Sequence, residues 1–439
     1  MAGINPFKPN YPVSPGMFVG RSEELDRIEA QLLQTRAGNP ANFIITGERG
    51  IGKSSLFMYI KFVAEGQIPI GDTQVRFLVL DTDIDPSTSQ LGLVQKIELR
   101  IREQLANTES ARALLADIWA FLQRVEAAGF KITPQQRVEQ EELLIEQFAY
   151  SLARLTDRVC GKPEPQPPFS ARYDGVLILI DEADNASRHL RIGSFLKLLM
   201  ERLQRRGCNR VMIGIAGLPE VRQVIMESHR SAIRAFDELH LGRLSPDEVD
   251  QVITLALEEA QELNGVPTDI TDGARQFLAT MSEGYPHFIQ QFGYSAFAAD
   301  TDNKIDEADA GKGAFGSLGA MEAIGDRYYR DNFYNRIQKD SYRQVLRIMA
   351  DKLDGWVTKA EIRARFKGKT SILDNAIHAL RERGIILPKE GERGVYRLQH
   401  KGFALWMKMY TTEPSALQRS LESSNGDNQA EPQPAPPSS

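Results

Sequence analysis

The octapeptide Gly47-Glu48-Arg49-Gly50-Ile51-Gly52-Lys53-Ser54 constrains this chain more than any other stretch of it. It lies between ANFIITG, an apolar run that stops at glycine, and a segment from Ser54 to Ala64 that reads as a helix. A G-x-x-x-x-G-K-[ST] pattern between a strand and a helix is a phosphate loop. Its glycines let the main chain curl so that successive N–H groups converge on an anion, and the following helix adds the positive end of its dipole. In that geometry Lys53 reaches the β- and γ-phosphates and the Ser54 hydroxyl ligates Mg2+. The octapeptide and Ser55 are the expected nucleotide contacts.

The rest of the N-terminal half fits a sheet around that loop. Strands are predicted at Arg76–Asp81, Gly175–Ile180 and Arg210–Ala216, with a short fifth at Glu238–Leu244. Helices are predicted at Ser22–Leu33, capped by Ser22, from Ser87 to about Val159 with a break near Gly129–Pro134, and at Ser194–Arg205. Cys160–Ser170 reads as a proline-rich loop. Strands alternating with helices imply a parallel sheet covered on both faces. Ligands of such sheets sit at the carboxyl ends of the strands. There the run Val176–Ile180 ends in Asp181 and Glu182. Behind a phosphate loop, Asp181 is expected to hold Mg2+ through water, and Glu182 to act as general base on the attacking water. Asp184 and Asn185 either position Glu182 or cap a turn.

A chain of 439 residues corresponds to about three domains. Hydrophobic residues at 42% and charged residues at 26% are ordinary globular values and exclude collagen-like, wholly disordered and coiled-coil chains. No apolar run approaches the ~20 residues of a membrane span, so no membrane partner is expected. MAGINPFKPNYPVSPG lacks the apolar core of a signal peptide. Cys160 and Cys208 alone make neither a disulfide framework nor a zinc knuckle, so a reducing cytoplasm is the default location.

The net charge of −6 argues against wholesale coating of nucleic acid. That average hides a basic segment. Ser341–Thr412 carries 15 Lys and Arg against 7 Asp and Glu, a net of +8 that leaves −14 for the remainder. The pattern there is helix (Gln344–Lys352), helix (Thr358–Phe366), helix (Thr370–Arg383), then IILPK, EGERG and VYRL as strand, turn and strand. Thr370 or Ser371 is the expected cap of the third helix, with Ile372, Ile377 and Leu380 facing inward. This is helix-turn-helix plus a wing, the winged-helix pattern. Double-stranded DNA is therefore an expected partner, through Lys367, Lys369, Ser371, Asn375, His378 and Arg381 on or near the third helix. Lys389, Arg393 and Arg397 would serve on or near the wing. The alternative is a winged helix that serves as a spring or protein-docking surface.

Phe18-Val19-Gly20-Arg21, SEEL, the phosphate loop, LILIDEAD and IAGLPEV together resemble an AAA+ ATPase. Over roughly residues 12–410 the resemblance is to the origin-recognition-complex-like and STAND-like branches, which often carry a C-terminal winged helix. It implies an α/β fold: a P-loop NTPase parallel sheet sandwiched by helices, then an α-helical lid and a C-terminal winged-helix domain. The expected organisation is a proline-rich arm (1–17), an ATPase core (18–244, with a helical insertion at about 87–159), a lid (245–316), a winged helix (317–412) and a disordered tail (413–439). The resemblance implies ATP with Mg2+ as cofactors, Phe18 and Val19 against adenine (the alternative is simple core packing), Arg21 near the nucleotide and Pro286 of Gly284-Tyr285-Pro286-His287 touching the base. It further implies that Arg230 or Arg234 reaches a neighbouring copy's site in a homo-oligomer; the alternative is two solvated arginines.

Two departures from the family pattern stand out. The fourth strand ends in Ala216-Gly217-Leu218, which offers no side-chain donor, and the lid holds His287 where many members place a sensor arginine. Less pre-positioned charge implies slow ATP hydrolysis, suited to a switch. The expected function is thus an ATP-dependent switch or assembly factor on DNA. The alternative is a STAND-like scaffold that controls a separate effector protein without binding DNA. No effector domain is expected at either end of the chain.

Overall fold

The computed structural model describes residues 3–105, 134–161, 172–353 and 355–411. They form two compact units that meet in the chain between Tyr294 and Ser295. The break near Gly129–Pro134, most of the proline-rich loop and the tail lie outside the described residues.

The first unit is built on strands β1 (Asn42–Gly47), β2 (Phe77–Asp83), β3 (Gly175–Asp181), β4 (Val211–Gly217) and β5 (Phe236–Leu241). They form one sheet in the order β2–β3–β4–β1–β5, every pair parallel. Consecutive residues Phe43, Ile44 and Ile45 of β1, and Val176 to Ile180 of β3, are no more than 1% exposed. Since neighbours on a strand point to opposite faces, both faces are covered. The register places Asp83 of β2 beside Asp181 of β3. It also places Ile45 beside both Ala216 and Leu239. The fifth strand starts two residues and ends three residues earlier than predicted, because Gly242 and Arg243 lead directly into the Ser245 cap of the next helix.

Helices α1 (Ser22–Arg36), α2 (Lys53–Ala64), α3 (Gln90–Leu105), α4 (Pro134–Cys160), α5 (Ile192–Arg205) and α6 (Val221–Ser228) belong to this core. The described parts of the insertion are core helices: Leu93, Val94, Ile97, Ile101, Phe148, Leu152 and Leu155 join the same buried cluster as β2 and β3. Ser22 is the first helical residue of α1, not its cap; Arg21 takes the cap position in the left-handed region (φ 66°) with no side-chain cap bond.

Helices α7 (Pro246–Asn264), α8 (Asp272–Ser282) and α9 (Pro286–Ala299) follow β5. Ser245 and Glu248 form a reciprocal capping box at α7. The proline-rich N-terminal arm is tied to this region. Asn264 brackets Ile4, accepting its N–H at Oδ1 (2.6 Å) and donating from Nδ2 to its carbonyl (3.0 Å). Lys8 N–H donates to Gln290 Oε1 (2.7 Å), and Phe7 is buried in a slot that any Cβ on Gly293 would fill.

The second unit contains α10 (Glu307–Phe315), α11 (Ala320–Ile324), two π-helical turns (Gly325–Tyr329 and Asn332–Arg336), α12 (Asp340–Ala350), α13 (Lys359–Arg365), α14 (Thr370–Glu382) and α15 (Lys401–Tyr410). Strands β6 (Val357–Thr358), β7 (Ile386–Pro388) and β8 (Val395–Leu398) make an antiparallel sheet in the order β6–β8–β7. Leu373, Ala376, Ile377 and Leu380 form the inward face of α14. Ile372 is 40% exposed, contrary to expectation, because the i, i+3, i+4, i+7 stripe begins one residue later. Neither Thr370 nor Ser371 caps this helix; Lys369 holds the cap position without a side-chain bond. Helix α15, absent from the expected pattern, supplies Trp406, which is buried against Phe333 and Phe403. No helix among the described residues is long and apolar enough to cross a membrane.

Two substitutions test these packing and capping arguments. A Cβ on Gly193 would fall well inside contact with the Ile225 carbonyl oxygen, where α5 meets α6. Gly193→Ala gains about 1 kcal/mol of helix propensity but meets an overpacking cost of about 1–3 kcal/mol or more. The melting midpoint should fall by roughly 2–8 °C; an unchanged or raised midpoint would refute the packing. The second is Glu361, whose carboxyl is lowered from the usual 4.5 to about 2 by the Lys352 ammonium and by the Thr358 N–H and hydroxyl. A depressed folded-state value contributes stability that is present above the ordinary value and is lost as pH falls through about 2. Glu361→Gln should therefore lower the midpoint at neutral pH, with the difference from wild type shrinking as pH approaches about 2 in acid titration.

Candidate nucleotide site

The site starts where β1 runs into α2. A Cβ on Gly47 would lie 2.7 Å from Ile51 Cγ2 and 3.2 Å from the Leu241 carbonyl oxygen, so only glycine fits. Gly50 (φ 81°) and Gly52 (φ 100°) turn the loop through the left-handed region. Gly52 precedes α2 without any side-chain cap, which leaves the first-turn amides of the helix for an anion. Lys53 curls back over the loop, its Nζ donating to the carbonyls of Gly47 (2.8 Å) and Glu48 (3.0 Å). Burial lowers the ammonium's pKa, while Asp181 and Asp184 pull it back up.

The Ser54 hydroxyl donates to Asp181 Oδ2 at 3.2 Å, although 127 positions separate the two. Burial raises the Asp181 pKa, against the Glu182 N–H, Ser54 and Lys53, which favour the carboxylate. Glu182 follows in the left-handed region (φ 53°), and burial, then Asp181, Asp184 and Asp83, raise its pKa. The two readings of Asp184 and Asn185 separate here. Asn185 Nδ2 donates to Glu182 Oε2 and to the Ile84 carbonyl, each at 3.3 Å, and so orients Glu182. Asp184 instead accepts the Leu218 N–H at 2.8 Å, joining the end of β4 to the acidic segment. A Cβ on Gly217 would meet that same carboxylate, and Ala216-Gly217-Leu218 presents no side-chain donor.

The Phe18 ring lies 5.4 Å from that of Tyr59 on α2, and Val19 is buried. Arg21 Nη2 donates to the Ile51 carbonyl (3.2 Å) and the Gly242 carbonyl (2.5 Å), a strut between the phosphate loop and the end of β5. Pro286 Cγ is 3.7 Å from where a Cβ would stand on Gly52, so this proline abuts the phosphate loop. His287 meets the loop through its backbone N–H, which donates to the Gly50 carbonyl (3.2 Å). Tyr285, not singled out in the sequence, is fully buried and donates its hydroxyl to Glu48 Oε2. Glu48, Asp83, Tyr59 and Tyr285 acquire their roles only through partners distant in the chain.

Arg230 and Arg234 are exposed between α6 and β5, and neither makes an ion pair or side-chain hydrogen bond among the described residues. In the second unit, Lys367, Lys369, Ser371, Asn375, His378, Arg381, Arg393 and Arg397 are exposed and Lys389 is half-buried. Part of the local positive charge is neutralised internally. Lys352 pairs with Glu361, Lys359 with Asp374, Arg365 and Lys408 with Asp351, and Lys389 with Glu392. Arg381 lies over the Tyr396 ring (6.0 Å), which sets α14 beside the β7–β8 hairpin, and Arg397 lies over Trp356 (5.0 Å).

Residues 17–213 match the family model described as "AAA ATPase domain". No curated protein matches the chain by sequence. Among solved structures, the chain is similar to the ORC2 protein of Aeropyrum pernix in its ADPNP–ADP complexes, at 14% identity and TM-score 0.52, over 92% of this chain and 96% of that one. It is also similar to the Thermotoga maritima RuvB Holliday junction branch migration motor (14% identity, TM-score 0.43, 93% and 100% covered). A third match is the Aeropyrum pernix ORC1 protein in complex with DNA (14% identity, TM-score 0.42, 90% and 94% covered).

Proposed function

We propose that this chain, whose residues 17–213 are an AAA ATPase domain on a P-loop AAA+ fold, binds and slowly hydrolyses ATP and uses its nucleotide state to act on duplex DNA. The observation that carries the nucleotide reading is the contact between Ser54 and Asp181. It joins the phosphate loop to the acidic pair, so that anion-binding amides, a lysine, a hydroxyl and two carboxylates share one edge of the sheet.

A hydroxyl and a carboxylate oxygen in contact suit a hard divalent cation, and among the described residues no larger cluster of His, Cys, Asp or Glu offers a rival site. Ser54 and Asp181 would hold Mg2+, whose role when bound is to neutralise charge on the β- and γ-phosphates. Lys53 would leave the carbonyls of Gly47 and Glu48 for those phosphates. Glu182, aimed by Asn185, would accept the proton of the attacking water. Phe18 and Val19 would border the adenine. Arg230 and Arg234, exposed beside the sheet edge, are the groups a neighbouring copy could receive in a homo-oligomer.

The second unit's order of helix, strand, two helices and hairpin supports a winged helix. Of its exposed cations without a carboxylate partner among the described residues, Lys367, Lys369, Arg381, Arg393 and Arg397 lie on α14, the turn before it and the hairpin, and they favour DNA. One observation favours the second reading, a STAND-like switch acting on a separate protein: the end of β4 offers no side-chain donor to stabilise developing charge.

Steady-state ATPase assays with and without duplex DNA test the first reading. Lys53→Ala should abolish nucleotide binding, whereas Glu182→Gln should retain bound ATP and lose about 10²–10⁴ in turnover. Absence of any affinity of the wild type for ATP with magnesium would overturn the site. DNA binding should weaken linearly on a log–log plot against salt, and Lys369→Ala should reduce the slope by about one. No binding to duplex at low salt leaves the protein-directed switch as the function.

A further inference from the structure

The turn between α8 and α9 is pressed against the phosphate loop. Glu283 (φ 51°) and Gly284 (φ 74°) occupy the left-handed region in succession, which reverses the chain and points Tyr285 inward. The Leu244 N–H donates to the Gly284 carbonyl (2.8 Å), and a Cβ on Gly284 would stand 2.5 Å from the Leu244 carbonyl oxygen. The turn is thus seated on the segment leaving β5. From it, two bonds reach the phosphate loop: the Tyr285 hydroxyl to Glu48 and the His287 N–H to the Gly50 carbonyl.

The environment of Tyr285 preserves its bond to Glu48. The ring is fully buried, so water does not replace the Glu48 carboxylate as its partner. Burial and the Glu48 carboxylate both raise the phenol's pKa and keep it a donor at neutral pH. The Arg243 guanidinium covers the ring at 4.7 Å and pairs with Glu283 at 3.4 Å, which adds a second hold on the ring. A hydrogen bond to an ionised acceptor is stronger than a neutral one, and breaking it here strands a carboxylate beside a buried ring.

We propose that Tyr285 is a positioning residue that couples the helices after β5 to the phosphate loop: its hydroxyl on Glu48 holds the loop in its curl and the α8–α9 turn upon it, so that nucleotide escapes only when this bond breaks. This rests on the reading of residues 47–54 as a nucleotide site. Glu48 is the residue immediately after Gly47, at the point where the main chain begins to curl. A pull on its side chain therefore acts directly on the amides that follow. Gly50, the acceptor of the second bond, lies two residues further on, so the turn grips the loop on both sides of Arg49.

A double-mutant cycle tests the coupling. Release of a fluorescent N-methylanthraniloyl-ADP would be followed by stopped flow for the wild-type full chain, Tyr285→Phe, Glu48→Ala and the double variant. Each single change should speed release about tenfold, and the double variant should be no faster than either. Effects that multiply, or a Tyr285→Phe rate within about twofold of wild type, would overturn the coupling. Hydrogen exchange on the nucleotide-free protein supplies a second readout. The His287 amide should exchange about tenfold faster in Tyr285→Phe, with α5 amides unaffected. Should the wild type fail to bind the fluorescent nucleotide, the reading of the site fails, and exchange at His287 still decides whether Tyr285 latches the turn: unaltered exchange there rejects the latch.

Discussion

The parallel insertion of β4 between β1 and β3 is the constraint from which the rest of the site follows. Strands neighbouring one another in a sheet lie about 4.8 Å apart, so the ends of β1 and β3 are held about 10 Å from each other. Ser54, in the first turn of α2, spans that gap to reach Asp181. The insertion itself depends on two glycines. At Gly214 a Cβ would drive into the Phe43 ring, which lies across β4 from β1. At Gly217 it would displace the Asp184 carboxylate that receives the Leu218 N–H. A side chain at either place would widen the sheet or tilt β4, and the phosphate loop and acidic pair would separate together.

The parts of the site that are local in the chain were legible in the sequence. The glycine spacing of the phosphate loop, the apolar run into Asp181 and Glu182 and the alternation of strands with helices all express short-range rules. What escaped was set by partners far away. Arg21 bonds to residues 30 and 221 positions distant, and Tyr285 bonds across 237 positions. Local rules placed the start of α1 correctly but misassigned its cap. Ser22 has the chemistry of a cap, but Arg21 is held in the left-handed region while its guanidinium bridges Ile51 and Gly242, and tertiary bonding decides where the helix begins. The acidic segment after β3 shows the same limit: Asp184 and Asn185 were equal candidates to orient Glu182 until the position of Leu218 claimed Asp184.

Net charge was a blunt instrument for the second unit. The excess of +8 between Ser341 and Thr412 counts every lysine and arginine alike. Asp351, Glu361, Asp374 and Glu392 absorb several of them. Lys367, Lys369, Arg381, Arg393 and Arg397, without a carboxylate partner among the described residues, lie on α14, the turn before it and the hairpin, where Arg381 over Tyr396 joins the two elements.

The helices after β5 are held at several places, and the holds differ in kind. At the outer end the arm is fastened by main-chain bonds to Asn264 and Gln290 and by Phe7 in the slot over Gly293, and none of these touches the phosphate loop. At the inner end Tyr285 and His287 bond to the loop itself. Between them Gly20 abuts Glu248 and Leu244, and the next residue, Arg21, reaches Ile51. A change in the curl of the loop would therefore act on the bonds of Arg21, Tyr285 and His287, and not on those of the arm. The bonds of the arm to Asn264 and Gln290 do not depend on that curl. Such a division would suit the switch proposed above: one set of bonds within reach of the phosphates, and another beyond it.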